Sequence, residues 1–214
     1  MARSIVEPQN LRSERTRAEL LAAMRTLLEE RGFEALTMAT VAQRAGVSRR
    51  AVYLHFNSRS DLVTALFDYV SREEGLAKSQ EAVWEAASAI DALDEWARHL
   101  ARYTPRVLAV DGAIELVRNH DDDARKHHKT VARQQRASAR KLVKWLQDDG
   151  VLAPGWSVDT ATEMLWALMS SDVVRRLVVE VHWSRKQLAE HLIRTFRSVF
   201  VRPGAVPDEA DTQH

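Results

Sequence analysis

Cysteine is absent from the 214 residues. That excludes disulfide frameworks, thiolate zinc sites and cysteine nucleophiles. Glycine (7) and proline (5) are scarce, and so few breakers disfavour a chain of many short strands and tight turns. No apolar run approaches the roughly 18 residues a membrane span needs. The opening MARSIVEPQNLRSERTR has no apolar h-region, so no secretory signal is read there. GxGxxG, the P-loop, HExxH and GxSxG are all missing, which leaves an enzyme reading with no catalytic signature. A mostly helical, cytoplasmic, soluble protein is the expectation.

What is present is 45% apolar and 29% charged residues, enough to bury a core in one or two domains. The net charge of +1 hides an asymmetry. Residues 1–60 hold ten arginines, no lysine and six glutamates, a balance of +4 against −3 for the rest. A basic module joined to a mildly acidic body is a layout that nucleic-acid readers use.

Apolar spacing sets the expected elements. Leu20, Met24, Leu27 and Leu28 form one stripe of a helix over 13–31, closed by Gly32. Thr37 caps a short helix over 38–45, and Ser48 caps the next, over 49–56. Ser58 and Asp61 have the spacing of a capping box and start a fourth helix past Tyr69, with Gly75 a weak point near its end. Beyond Ser79 the pattern predicts helices over 83–103, broken at Pro105, then to about Asn119, and over 121–147, 158–181 and 184–201.

The stretch VAQRAGVSRRAVYLHF, Val41 to Phe56, carries the most information. In a helix-turn-helix one helix crosses the duplex and a second enters the major groove. The first needs a small residue at the crossing, which Ala42 supplies. The turn needs tolerance of positive φ, which Gly46 supplies. The second needs an apolar anchor facing inward, which is Val52. Arg49, Arg50, Tyr53 and His55 are left facing outward. Arginine can pair both acceptors of a guanine edge, while tyrosine hydroxyls and helix-start amides suit phosphate.

This segment closely resembles the DNA-binding domain of the TetR (tetracycline-repressor) family of bacterial transcription regulators, over about Arg15 to Tyr69. The resemblance rests on ERGFEALTMATVAQRAGVSRRAVYLHF and on the NSRSDL link that follows. It implies an all-α fold: an N-terminal helix-turn-helix domain (12–59) between an arm (1–11) and a helical effector-binding and dimerisation domain (60–202), with a disordered tail (203–214). It implies that Thr40, Ser48, Tyr53 and His55 touch the phosphate backbone, and that Arg49 and Arg50 project towards bases. Arg59 stands where members often have lysine, near a phosphate. Ser60 departs from the acidic residue common at the next position. No cofactor is implied.

A reader of this size gains grip by pairing on a palindromic operator, so a homodimer is expected. Leu165, Leu168, Leu188, Leu192 and Phe196 form stripes on the last two helices. They fit the paired helices that the resemblance implies; the alternative is that they only close the chain's own core. All six tryptophans follow Tyr69. Trp96, Tyr103, Trp145, Met164, Trp166 and Met169 are candidates to line a pocket for a small apolar or aromatic effector, although core packing would use the same residues. His120, Asp121, Asp122, Asp123, His127 and His128 read as a charged helix start rather than a metal site. The functional expectation is a homodimeric repressor released from its operator by a ligand. The alternative is a constitutive DNA-binding dimer without an effector.

Overall fold

The computed structural model describes residues 6–205, with side chains from Leu11 onward. The first five residues of the expected arm and the expected tail beyond Ala205 lie outside the described residues. The described chain is all-helical apart from one isolated antiparallel bridge, Leu152 with Val201. The described residues divide into two compact units: 6–73 with 109–129, and 74–108 with 130–205.

The first unit contains α1 (Val6–Arg31), a 3-10 turn (Phe33–Ala35), α2 (Met38–Arg44), α3 (Arg49–Tyr53) and α4 (Arg59–Glu73). It also holds the end of α6 (Ala89–Val117) and the start of α7 (Asp122–Asp148). The expected stripe of α1 is buried, and Phe33 and Leu36 are buried after it. The helix starts earlier than the expected Ser13, at Val6. Pro8 falls in its first turn, where a missing N–H removes no intrahelical bond. Gly32 takes φ 78° and donates its N–H to the Leu28 carbonyl at 2.9 Å, ending the helix. Thr37 and Ser48 cap α2 and α3 through the amides of Thr40 and Ala51.

The second unit comprises α5 (Leu76–Trp84), the first part of α6, most of α7, α8 (Val158–Leu168), α9 (Ser171–Arg175) and α10 (Arg185–Phe200). Its core gathers Trp96, Leu142, Leu165, Leu188, Phe196 and Phe200, among others. Three elements differ from the sequence reading. The helix expected to break at Pro105 continues as α6 to Val117. Proline in a helix interior costs about 3 kcal/mol, and the buried stripe Leu100, Ala101, Thr104 and Val107 around it outweighs that cost. Gly75, at φ 69°, separates α4 from a distinct α5. The helix expected over 158–181 stops at Leu168, because Ser170 caps α9 by accepting from the Asp172 amide at 3.2 Å. A π turn, Arg176–Glu180, and His182 at φ 61° follow.

A half-buried arginine reaches into the second core to pair with a buried aspartate. Asp94 is 4% exposed and takes a two-pronged grip from Arg197, with Nε to Oδ1 at 2.8 Å and Nη2 to Oδ2 at 2.5 Å. Two histidines are held neutral. Burial, then the Arg102 charge, lowers His99 to about 4, and burial, then His128, lowers His127 to about 4. Burial and the Glu115 charge raise Asp111 to about 6.

The signs of these shifts predict acid lability. An unfolded imidazole takes a proton near pH 6.5, whereas His99 and His127 refuse one until about pH 4. Their contribution is therefore present above pH 6.5 and is lost as pH falls from 6.5 to 4. Asp111 opposes this, because its folded carboxyl keeps a proton from 3.8 up to about 6. Two protons taken up only on unfolding against one released leaves a fall in unfolding free energy of about 1.4 kcal/mol per pH unit in mid-window. Urea melts between pH 7 and pH 4 should show it, and His99→Gln should flatten the slope.

Candidate nucleic-acid interface

The geometry begins with how α3 is held. Val41 and Val52 are fully buried, Ala42 nearly so, and the Val47 amide donates to the Ala42 carbonyl at 3.0 Å. Gly46 takes φ 67° between the two helices, a conformation that costs a side-chain-bearing residue. Val52 and Phe56 anchor the inner side of α3. Arg49, Arg50, Tyr53 and Leu54 are left exposed on the outer side. They form two helical rows of residues four apart. In one, Arg49 Nη2 donates to the Tyr53 hydroxyl at 3.4 Å, with its guanidinium carbon 5.7 Å from the ring centroid. In the other, Arg50 precedes Leu54.

The remaining expected contacts divide by what already occupies them. Ser48 is exposed, and its Oγ accepts the Ala51 amide at 3.2 Å, which leaves its own proton to donate. The Thr40 hydroxyl accepts the Thr37 amide at 3.1 Å and donates to the Ala35 carbonyl at 2.5 Å, so it serves the start of α2. His55 is half-buried, and its carbonyl accepts from Arg17 Nη1 at 3.0 Å. The same Arg17 guanidinium lies 4.6 Å from the Phe56 ring centroid, which staples α1 to the end of α3.

Arg59 is half-buried, and its guanidinium is already engaged within the chain. Its Nε donates to the Leu36 carbonyl at 2.9 Å and its Nη2 to the Phe33 carbonyl at 3.5 Å. Its Nη1 lies 2.8 Å from Asp121 Oδ2 and 3.1 Å from Asp123 Oδ2, and the guanidinium carbon sits 4.9 Å from the Phe33 ring centroid. Two residues enter the interface that the sequence reading passed over, Leu54 and Arg17. Leu54 is 77% exposed, four positions after Arg50 on the same row, and that spacing was the available signal. Arg17 offered none, since its partners lie 38 residues away and beyond.

In the second unit the expected pocket residues separate. Trp96 and Met169 are buried (2% exposed each), and Trp145 and Tyr103 are half-buried. Met164 and Trp166 face outward at 42% and 37% exposure, so neither lines the interior of this chain. Trp96 sits among aromatic rings, 5.8 Å from Trp84 and 5.0 Å from His99, which in turn stacks on Tyr103 at 5.6 Å. His99 Nδ1 is 2.9 Å from Ser79 Oγ. The buried Trp96 Nε1 has no hydrogen-bond partner. Of the stripe residues expected to pair two copies, Leu165, Leu188, Leu192 and Phe196 are buried in the chain's own core, and Leu168 is half-buried. The stripe pattern could not say which body it would close. Among the described residues no group of His, Asp and Glu has the arrangement to hold a metal ion, and no helix is long and apolar enough to cross a membrane.

Comparison with known proteins bears on both units. Residues 20–66 match the family model for bacterial regulatory proteins of the tetR family. The HTH-type transcriptional regulator TtgR of Pseudomonas putida is 37% identical over 70 residues, 32% of this chain and 33% of that protein. The match thus spans about a third of the length of this curated relative. Similarity in fold reaches further. NalD, the secondary repressor of the MexAB-OprM multidrug efflux pump in Pseudomonas aeruginosa, superposes with a TM-score of 0.69 at 21% identity, covering 89% of this chain and 98% of that one. SmeT in complex with triclosan gives 0.70 at 16% identity, covering 91% and 95%. A transcriptional regulator of Saccharomonospora viridis in complex with choline gives 0.67 at 17%, covering 88% and 98%.

Proposed function

Since the chain belongs to the TetR family of bacterial transcriptional regulators, a non-enzymatic family, we propose that it is a cytoplasmic homodimeric repressor that binds a palindromic operator and is released by a small apolar or aromatic ligand. The observation that carries this reading is the outer side of α3, where Arg49, Arg50, Tyr53 and Leu54 stand exposed while Val52 and Phe56 take up the packing. Arg49 and Arg50 read base edges, and bidentate pairing to guanine suits their forks. Ser48 and Tyr53 donate to phosphate oxygens. Leu54 lies against a thymine methyl, the apolar feature of the major groove.

Pairing of two copies draws on apolar surface that the core leaves over. Met164 and Trp166 on α8 supply it, and the named stripe residues behind them give it a rigid backing. Two readers one helical turn of DNA apart then grip successive major grooves on one face. Release requires a ligand that binds the operator-incompetent state more tightly, and DNA must weaken that ligand by the same factor. Two features support a ligand in the second unit. SmeT and the S. viridis protein hold triclosan and choline. Within this chain, the unpaired Trp96 N–H is a buried donor with capacity for an acceptor on an apolar molecule.

Selection of bound duplexes from a random pool tests the DNA reading, and should return a palindrome of two half-sites. Absence of any binding at low ionic strength would refute it. Titrating triclosan and choline into the selected complex tests release. An operator affinity indifferent to any molecule that binds the second unit would favour the constitutive dimer. Arg49→Ala or Arg50→Ala should cost about 1–3 kcal/mol of operator binding and relax sequence preference at one position per half-site. Uracil in place of thymine, one position at a time, should weaken wild-type binding at the Leu54 contact and leave Leu54→Ala unaffected there.

A further inference from the structure

The geometry points to Arg59 as a positioning residue, which ties the entry of the reader helices to the α6–α7 corner and is not a phosphate ligand. This rests on the DNA-binding reading above and goes beyond it, because a basic residue at the start of α4 next invites the opposite role.

The partners of Arg59 come from two places in the chain. The Leu36 carbonyl, at 2.9 Å, immediately precedes Thr37, the residue that caps α2. Phe33 contributes its carbonyl and its ring face. On the far side, Asp121 and Asp123 approach the same Nη1. Asp121 also caps α7: its Oδ1 accepts the amides of Asp123 and Ala124, both at 3.0 Å, while its Oδ2 faces Arg59. One carboxylate therefore starts α7 and anchors the guanidinium. All of these residues lie in the first compact unit. A second contact reinforces the tie one helix face along, where the Phe67 ring of α4 stacks on His127 of α7 at 3.5 Å.

Charge decides against phosphate. Arg59 with two aspartates within about 3 Å is a cluster of net charge −1. A phosphate approaching it meets repulsion and would have to break two charge-assisted hydrogen bonds that are already made. Geometry decides for arginine. Only a planar fork reaches two carbonyls on one edge and two carboxylates on another, and a lysine ammonium cannot span them.

The two roles predict opposite signs, which Asp121→Asn/Asp123→Asn reads directly. The asparagine amide oxygen keeps the α7 cap while the charge that holds Arg59 is removed. A phosphate-binding Arg59 would be freed, two repelling charges would be gone, and affinity for the pool-selected duplex would rise. A positioning Arg59 loses its anchor, and affinity falls about two- to thirtyfold despite the more favourable charge. We expect the fall, with Arg59→Ala adding little on top of it. Arg59→Lys should bind nearly as poorly as Arg59→Ala, since it keeps the charge and loses the fork. Far-UV circular dichroism and thermal melts identify a variant that has unfolded, in which case Arg59→Lys carries the test. Unchanged or tighter binding by the double asparagine variant, or full rescue by Arg59→Lys, overturns the inference while the DNA reading stands. Failure of the wild type to bind any duplex overturns the DNA reading itself.

Discussion

A helix of five residues has no stability of its own, and that constraint governs the reader of this protein. Nucleation costs more than one turn of hydrogen bonds returns, so α3 exists only because its neighbours hold it. Val52 and Phe56 supply the apolar grip, Ser48 the cap, and Arg17 a clamp on the His55 carbonyl. Because the whole inner side is occupied in this way, the whole outer side is free for another molecule. The shortness of α3 and its exposed arginines are two consequences of one arrangement.

Much of that arrangement was legible in the sequence, because it is local. Gly32 and Gly46 mark left-handed residues, Thr37 and Ser48 mark caps, and Ala42 and Val52 mark the crossing of two helices within a stretch of sixteen residues. The spacing of Leu20, Met24, Leu27 and Leu28 likewise marked the buried side of α1. What escaped is non-local. Arg59 finds its aspartates 62 and 64 positions along the chain, and a single sequence carries no signal for such a pairing. Pro105 was read by its local cost, while the stripe through which it passes decided the outcome. Conversely, the Ser170 cap was a local signal within an otherwise continuous apolar pattern, and it won.

Amphipathic stripes are the least decisive feature of the body, for a physical reason. A stripe reports that one side of a helix avoids water and says nothing of what covers it. Leu165, Leu188, Leu192 and Phe196 are covered by their own chain. On α8 the surplus is Met164, on the same row as the half-buried Leu168 four positions later, and Trp166, which stands outside that row. The apolar residues at the margin of the pattern, rather than those at its centre, are the ones exposed on α8.

The same reasoning applies, with the sign reversed, to the buried indole N–H of Trp96, which has no hydrogen-bond partner. An indole N–H removed from water without an acceptor costs about 1–3 kcal/mol, yet the Trp96 ring offsets this through the area it buries beside Trp84 and His99. Replacement by phenylalanine would keep most of that area and avoid the penalty, so stability alone does not call for the nitrogen. An acceptor-bearing ligand does. Such an acceptor would gain a hydrogen bond away from water, beside an imidazole whose burial keeps it neutral near pH 7. A cationic His99 would favour anions there; a neutral one is compatible with the uncharged or aromatic effector proposed above.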